Sequence, residues 1–298
     1  MKKAIITLII AVALGTIYFA WALVSSPTGS QTVAYAPAKR DCFSVESPRP
    51  WKYCVHVPAE GKPNGDLAYV LHGRNLDESI WNDNTFYTAM IQNYWQTRKI
   101  APPTVVTVSF GPVWLLTEKG SKERSGLLDV FRDEVIPEVE KRIGRPKRRL
   151  ILGESMGGLN TLALVLKTPS VFQKAASLCP AIYIGSPFAP LAEIREFMSR
   201  TGANPKNVFG IRLIAMDYFA NQTEWERAAP LTLLEQVEAA KLPELYLSCG
   251  LYDPYGNFEG NERFARRAAE RGVRISWHPL YGGHCAIDIP SLAEFLVN

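Results

Sequence analysis

The sequence predicts an α/β fold with a mostly parallel central sheet that is covered by helices on both faces. From about residue 40 to the C-terminus, short β-branched and apolar runs alternate with longer amphipathic stretches, which is the pattern of βαβ units. Apolar residues make up 47% of the 298 positions, enough for a substantial core. No internal repeat is visible, so we predict a single folded domain over residues 41–298.

The individual elements follow from this alternation. Short apolar runs predict strands at Lys52–Val57, Leu67–Leu71, Thr104–Phe110, Arg149–Leu152, Lys174–Leu178, Leu245–Cys249 and Val273–His278. Longer stretches predict helices at Leu127–Ile143, Gly157–Lys167 and Phe258–Arg271, with a further helix at the C-terminus. Runs that are apolar throughout are typical of parallel strands buried on both faces.

The N-terminus differs from the rest of the chain. A Lys-Lys pair precedes the uncharged apolar run Ala4–Val24, which is the order of a secretory signal. The run is long enough to cross a bilayer as a helix. We therefore interpret residues 1–26 as a signal peptide or an N-terminal membrane anchor, and residues 27–40 as a linker. Either interpretation predicts export to the periplasm or the extracellular space, in the second case with residues 4–24 attached to the inner membrane.

The five cysteines leave at least one thiol unpaired within the chain. Cys42 and Cys54 flank a turn-rich segment between two strand-like runs, so we predict a disulfide across a hairpin. The remaining three, Cys179, Cys249 and Cys285, are interpreted as buried small hydrophobic residues.

Charge does not indicate a nucleic-acid partner. The formal net charge is only +4. A basic cluster runs from Lys141 to Arg149, but Gly144 and Pro146 interrupt it, so we interpret it as a solvated turn. We predict no binding to nucleic acid.

Residues 153–158, Gly-Glu-Ser-Met-Gly-Gly, fit the pattern G-x-S-x-G. They follow the predicted strand Arg149–Leu152 and precede the predicted helix Gly157–Lys167. This context is typical of a nucleophile elbow, in which a strained turn exposes a serine hydroxyl and small neighbours let helix and strand approach. Ser155 is therefore the candidate nucleophile.

A serine nucleophile needs a base that removes its proton and a third group that orients the base. Among the four histidines, only His284 lies in a Gly-rich loop after the last predicted strand, so it is the candidate base. The order serine, acid, histidine restricts the acid to residues 156–283. Asp253, in the turn after Leu245–Cys249, is the first candidate, and Asp217 is the alternative.

The negative oxygen of a tetrahedral intermediate requires preorganised donors. The backbone N–H of Met156, directly after the nucleophile, is the first candidate. The segment Leu71-His72-Gly73-Arg74-Asn75 ends a predicted strand and resembles a His-Gly oxyanion turn, so the N–H of Arg74 is the second. Residues 183–230, with several prolines and glycines around one short helix, are predicted to form an excursion over the active site.

Four motifs in order resemble the esterase family of the α/β-hydrolases over residues 40–298. They are the His-Gly turn, the elbow, the Cys-Gly-Leu-Tyr-Asp turn at 249–253 and the Gly-Gly-His at 282–284. That family includes S-formylglutathione hydrolase-like, feruloyl and siderophore-ester esterases and the mycolyltransferases. The resemblance implies an α/β-hydrolase fold and a triad of Ser155, Asp253 and His284.

These residues predict a serine carboxylesterase that acts on a small-molecule ester through an acyl-enzyme on Ser155. An acyltransferase of the mycolyltransferase type would use the same triad, and a catalytically inactive binding protein is the alternative from another class. No metal or organic cofactor is predicted, because the sequence has no zinc-ligand spacing, G-x-G-x-x-G or Walker loop. Seven aromatic residues are candidates for an acyl pocket: Trp81, Trp95, Trp114, Phe188, Tyr218, Trp225 and Tyr255, although core packing is favoured for Trp95.

Overall fold

The computed structural model describes residues 2–24, 33–117 and 124–298. The chain divides into two compact units, Met1–Thr32 and Val33–Asn298. The described part of the first unit is helix α1, Lys2–Val24. No helix among the described residues has both the length and the apolar content of a membrane span. Parts of the predicted signal segment and linker, residues 1 and 25–32, lie outside the described residues, and the signal peptide or anchor stays a prediction.

The second unit is built on an eight-stranded sheet. Its strands are β1 Lys39–Val45, β2 Trp51–Val57, β3 Leu67–Leu71, β4 Thr104–Ser109, β5 Arg149–Glu154, β6 Lys174–Leu178, β7 Glu244–Gly250 and β8 Ile275–Leu280. Their spatial order is β1-β2-β4-β3-β5-β6-β7-β8. The β1–β2 and β2–β4 pairs are antiparallel, and every pair from β4 to β8 is parallel. The prediction of a mostly parallel sheet is confirmed.

Helices cover both faces of this sheet. They are α2 Tyr87–Thr97, α3 Leu127–Val130, α4 Ile136–Ile143, α5 Met156–Lys167, α6 Leu191–Thr201, α7 Pro205–Tyr218, α8 Gln222–Ala228, α9 Pro230–Gln236, α10 Phe258–Glu270 and α11 Ile289–Phe295. A π-helical turn, Phe131–Val135, joins α3 to α4, so the predicted helix at 127–143 is one element with a bulge. Apolar side chains of α2 and α11 pack on one face, and those of α4, α5 and α10 pack on the other.

The central strands explain why the sequence pattern was informative. β3 and β6 are buried along their whole length, and β5 is buried from its second residue onward. Successive residues of one strand enter opposite cores: Tyr69 and Ile151 pack with α4 and α5, whereas Val70 and Leu152 pack with α2. A strand with helices on both faces is therefore mostly apolar on both of its faces and shows no alternation of polar and apolar residues.

The segment 183–230 differs from its prediction. It forms α6, α7 and α8 and leads into α9, where one short helix was expected. Of the four prolines expected to interrupt helices here, Pro187 lies before α6, and three stand where helices begin: Pro190 caps α6, while Pro205 and Pro230 are the first residues of α7 and α9. Proline is well tolerated at a helix start, because the first N–H groups have no intrahelical acceptor.

The packed unit also begins earlier than the predicted domain boundary. It starts at Val33, so it includes residues 33–40, which were assigned to the linker. The backbone N–H groups of Ala36 and Ala38 donate to the side-chain oxygens of Gln96 and Gln92 on α2. These bonds hold the segment that leads into β1 against the domain.

Two disulfides are present among the described residues. The predicted Cys42–Cys54 bridge is confirmed and joins directly opposed residues of the β1–β2 hairpin. The interpretation of Cys179 and Cys285 as unpaired buried residues was wrong, because they form a second disulfide across 106 positions of sequence. Strand order brings the end of β6 beside the loop after β8, which sequence spacing does not reveal. Cys249 is buried and free.

Candidate active site

Ser155 stands in a strained turn between β5 and α5. Its backbone has φ 51° and ψ −113°, a conformation that is rare for a residue with a side chain. The turn is held because the Ser155 N–H donates to the carbonyl of Leu178 on β6, at 2.8 Å. A Cβ added at Gly153 would lie 2.2 Å from the Gly157 carbonyl oxygen, and one added at Gly157 would lie 2.0 Å from the Leu71 carbonyl oxygen. The elbow therefore requires glycine at both positions.

A chain of hydrogen bonds joins the three residues predicted to act together. The Oγ of Ser155 lies 2.8 Å from Nε2 of His284, and Nδ1 of His284 lies 2.8 Å from Oδ2 of Asp253. The Asp253 carboxylate accepts from Nδ1–H, so Nε2 is left with a free lone pair directed at the Ser155 hydroxyl. The Asp253 side chain is fully buried, whereas that of His284 is 23% exposed. The ring thus faces a cleft while its orienting carboxylate is shielded from water.

Both oxygens of Asp253 have further partners. Oδ1 accepts the backbone N–H of Tyr255 at 2.8 Å, and Oδ2 accepts the Cys249 thiol at 3.7 Å. Burial and the nearby Asp253 charge raise the pKa of Cys249, so its thiol keeps its proton and remains a donor. The carboxylate is fixed in the orientation that the His284 ring needs.

The loop that carries His284 is fastened on two sides. On one side it lies against the end of β7: Tyr252 N–H donates to the Gly282 carbonyl at 3.0 Å, and a Cβ on Gly250 would lie 2.0 Å from the Gly283 carbonyl oxygen. On the other side, Cys285 is bonded to Cys179. Cys179 directly follows Leu178, the acceptor of the Ser155 N–H. The disulfide therefore connects the loop that carries His284 to the end of β6, where the Leu178 carbonyl holds the turn at Ser155.

The two predicted oxyanion residues lie beside Ser155. Arg74 and Met156 line the same cleft as Ser155 and His284. Met156 is the first residue of α5, so its N–H has no acceptor within the helix.

His72, which the sequence analysis placed only in a turn, holds the oxyanion segment. Its Nδ1 donates to the Gly73 carbonyl at 2.7 Å, and its Nε2 accepts from the Ser109 hydroxyl at 2.8 Å. Burial lowers the pKa of His72, so the ring is neutral and can donate with one nitrogen while it accepts with the other. No signal in the sequence distinguished this role from that of an ordinary buried histidine.

Glu154, the residue before Ser155, was also missed. Its carboxyl group is buried and accepts the backbone N–H of Gly73. Burial raises its pKa to about 8, so the group is mostly protonated at neutral pH. The elbow and the oxyanion turn are thereby joined through one side chain.

A cleft of about 220 Å³ opens at Ser155. Of the seven aromatic candidates, Trp114 and Tyr255 line it. Trp225 and Tyr218 pack against Trp114 from behind. The other three lie in or against the cores: Trp81 and Trp95, the latter on α2, belong to the core between α2 and the sheet, and Phe188 is half-buried against the core that contains α5.

Sequence reasoning missed most of the remaining lining of this cleft. It comes from α7, through Lys206, Asn207, Gly210, Ile211 and Ile214, and from Tyr183. Asp217 on the same helix, the alternative for the orienting acid, is 67% exposed and lies 3.8 Å from Arg124 instead.

Three potential metal ligands, Cys179, His284 and Cys285, lie within 4.8 Å of one another. Both sulfurs are bonded to each other, and both nitrogens of His284 have partners in Asp253 and Ser155. In this bonding state the group does not offer the thiolates and the free imidazole nitrogen that a metal ion would require.

Comparison with known proteins decides the family. A family model described as "Putative esterase" matches residues 44–286. The chain belongs to this family. The match includes the elbow, the oxyanion turn and the loops that carry Asp253 and His284. No protein of curated function matches the sequence of this esterase.

Solved structures share the fold of this esterase at low identity. A ferulic acid esterase superposes with a TM-score of 0.60 at 17% identity, over 88% of this chain and 96% of that one. Brefeldin A esterase, a bacterial homologue of human hormone sensitive lipase, superposes with a TM-score of 0.60 at 18% identity, over 90% of this chain and 80% of that one. S-formylglutathione hydrolase from Staphylococcus aureus superposes with a TM-score of 0.57 at 19% identity, over 88% of this chain and 100% of that one. The α/β-hydrolase fold predicted from the sequence is confirmed.

Proposed function

We propose that this esterase hydrolyses carboxylic esters through an acyl-enzyme on Ser155. The observation that carries the proposal is the continuous hydrogen-bond chain from the Ser155 hydroxyl through His284 to the buried Asp253 carboxylate. His284 takes the hydroxyl proton as Ser155 attacks the ester carbonyl, and then returns it to the leaving alcohol. Water, deprotonated by the same imidazole, then attacks the acyl carbonyl. The bond to Ser155 Oγ breaks as His284 returns the proton to Oγ, and the acid is released.

The oxyanion in this proposal is bound by the backbone N–H groups of Met156 and Arg74. Both residues lie at the cleft beside Ser155, and the Arg74 turn is held by His72 and Glu154. Donors that are fixed before the reaction stabilise the developing charge without reorganisation. The substrate class that fits the family is a small-molecule ester.

The test is turnover of p-nitrophenyl acetate and butyrate by the full chain and by Ser155→Ala, with Ser79→Ala, an exposed serine, as the matched control. We expect hydrolysis by the wild type and the control, and none above background by Ser155→Ala. Mass spectrometry after a fluorophosphonate probe should find one adduct, on Ser155. A folded wild type with neither turnover nor adduct would refute the proposal and favour a binding role.

We also propose that the protein works outside the reducing cytoplasm. The two disulfides support this, since such bonds persist in oxidising compartments. The Lys-Lys pair before the apolar run at residues 4–24 supports it independently. Cell fractionation combined with thiol alkylation is the test: we expect one alkylated cysteine, Cys249, after denaturation of the exported protein. Five alkylated cysteines in a cytoplasmic fraction would contradict it.

A further inference from the structure

A second cavity, of about 230 Å³, lies between α6, α7 and the segment that follows β6. Its walls are mostly hydrocarbon, contributed by Ile184, Ala189, Ile194, Phe197, Val208 and Ile211. Ala189, Ile194 and Val208 belong to a small apolar cluster of their own, separate from the two cores on the faces of the sheet. The second cavity is therefore an apolar pocket formed by α6, α7 and the segment after β6.

The second cavity adjoins the catalytic cleft. Tyr183 and Ile211 line both, so they form the boundary that a ligand bound at Ser155 would meet. The Tyr183 ring is held edge-on to Phe197, with ring centroids 6.2 Å apart. Its hydroxyl is buried and has no hydrogen-bond partner among the described residues. The wall between the catalytic cleft and the second cavity therefore includes a packed aromatic ring and an aliphatic side chain.

The charges at the edge of the second cavity indicate what it would exclude. Its two cations are Arg200, which pairs with Glu259 at 2.9 Å, and Arg212, which donates to the Ala189 carbonyl at 2.8 Å and keeps its positive charge. Glu193 and Glu196 are the other charged residues at this edge, and both are exposed. With Glu259, the partner of Arg200, three carboxylates stand against two cations at this edge, so a neutral group is favoured over an anionic one.

We propose that this second cavity is the subsite for a neutral hydrocarbon group, an alkyl chain or an aryl ring, attached to the ester that reacts at Ser155. The inference rests on the proposed esterase function and names its substrate class: esters with a medium-sized apolar group, in preference to acetyl esters and to esters of dicarboxylic acids. The apolar group can belong to the acyl part or to the alcohol part of the ester, and the two arms of the test distinguish them.

The test compares kcat/KM along two series, p-nitrophenyl acetate to decanoate for the acyl part and ethyl to octyl acetate for the alcohol part. Burying a methylene is worth about 0.8 kcal/mol, so kcat/KM should rise about fourfold per added methylene in one series until the cavity is filled. A flat profile in both series, with acetate hydrolysed, would overturn the subsite and leave the proposed function standing. Absence of hydrolysis of every ester in both series would instead contradict the proposed function.

Variants give a second, independent readout in the ratio of kcat/KM for the long ester to kcat/KM for the short ester in the series that rises. This ratio is octanoate to acetate for the acyl part, or octyl acetate to ethyl acetate for the alcohol part. A Cβ at Gly185 has no heavy atom within 4 Å, so Gly185→Phe can place its ring in the second cavity. We expect this change to lower the ratio at least tenfold. Ile184→Trp, at an exposed residue that lines the cavity, should lower it as well. Leu213→Trp is the matched control, because Leu213 is 70% exposed on α7 and lines neither cavity.

Thermal unfolding of each variant establishes that the fold is retained. The proposal is overturned if both filling variants are folded and keep the wild-type ratio, or if Leu213→Trp lowers the ratio as much as they do. An ester of succinic acid tests the effect of charge, because its free carboxylate is anionic. We expect its kcat/KM to be lower than that of the corresponding butyrate ester.

Discussion

The disulfide between Cys179 and Cys285 should be required for both stability and turnover. Replacing both residues by serine removes a bridge that closes 106 positions of sequence. In the chain-entropy account, cross-linking a loop of about this length stabilises a protein by roughly 4.7 kcal/mol, an upper bound because residual denatured structure reduces it. Cys42–Cys54 closes only 12 positions, and the same relation gives roughly 3 kcal/mol for a loop of that size.

The effect on activity separates the two disulfides further. Cys285 directly follows His284, and Cys179 follows the acceptor of the Ser155 N–H, so the double variant Cys179→Ser/Cys285→Ser frees one side of the base's loop. A displacement of about 1 Å in a catalytic group can cost on the order of 100-fold. We expect kcat to fall between about 10- and 100-fold for that reason. Cys42 and Cys54 lie on β1 and β2, at the antiparallel edge of the sheet and removed from β5 by β4 and β3.

Urea unfolding gives the free energy of unfolding of each double variant, compared at an unchanged slope m against urea concentration. Turnover of p-nitrophenyl butyrate gives kcat. The expected result is a larger stability loss and a loss of kcat for Cys179→Ser/Cys285→Ser, against a smaller stability loss and unchanged kcat for Cys42→Ser/Cys54→Ser. Equal stability losses together with equal kcat values would refute the reasoning that the longer bridge fastens the His284 loop.

Three further changes test the site. Asp253→Asn should lower kcat by about 10⁴-fold, because the amide favours the wrong tautomer of the histidine, whereas Asp217→Asn should change it less than twofold. Gly157→Ala should destabilise the fold by roughly 3 kcal/mol or more in urea unfolding, since its Cβ would strike the backbone of β3, whereas Gly185→Ala, with open space around its Cβ, should not. Glu154→Gln should change the pH dependence of stability. The folded pKa of Glu154 is raised, so its contribution is fully present below the ordinary glutamate pKa and is lost as pH rises through about 8. The melting temperature of Glu154→Gln relative to wild type should therefore increase from pH 5 to pH 9, and a constant difference would contradict the burial of an ionisable carboxyl group.

Several parts of the site could be predicted because their signals are local. The elbow at Ser155 is readable because the glycines that make room for it stand within a few residues of it, between an apolar strand and a helix. Asp253 and His284 could be selected because each follows a strand whose C-terminal end lies at the same edge of a parallel sheet. The Cys42–Cys54 bridge spans one hairpin.

Other parts depend on contacts between distant segments. His72 and Glu154 hold the oxyanion turn through partners on β4 and after β3, and neither residue type marks that role in sequence. The cleft lining from α7 was missed because Pro205 was interpreted as a breaker when it begins the helix.

By itself the sequence determined the α/β class, seven of the eight strands in their order along the chain, the turn that strains Ser155 and the candidates for its two partners, because each depends on residue spacing within one element or one loop. Only the tertiary structure decided which strands are neighbours, and with them the Cys179–Cys285 bridge, the choice of Asp253 over Asp217 and the apolar cavity beside the cleft. The physical reason is that sheet order and helix packing bring together residues separated by tens to more than a hundred positions, and no local pattern encodes such a contact.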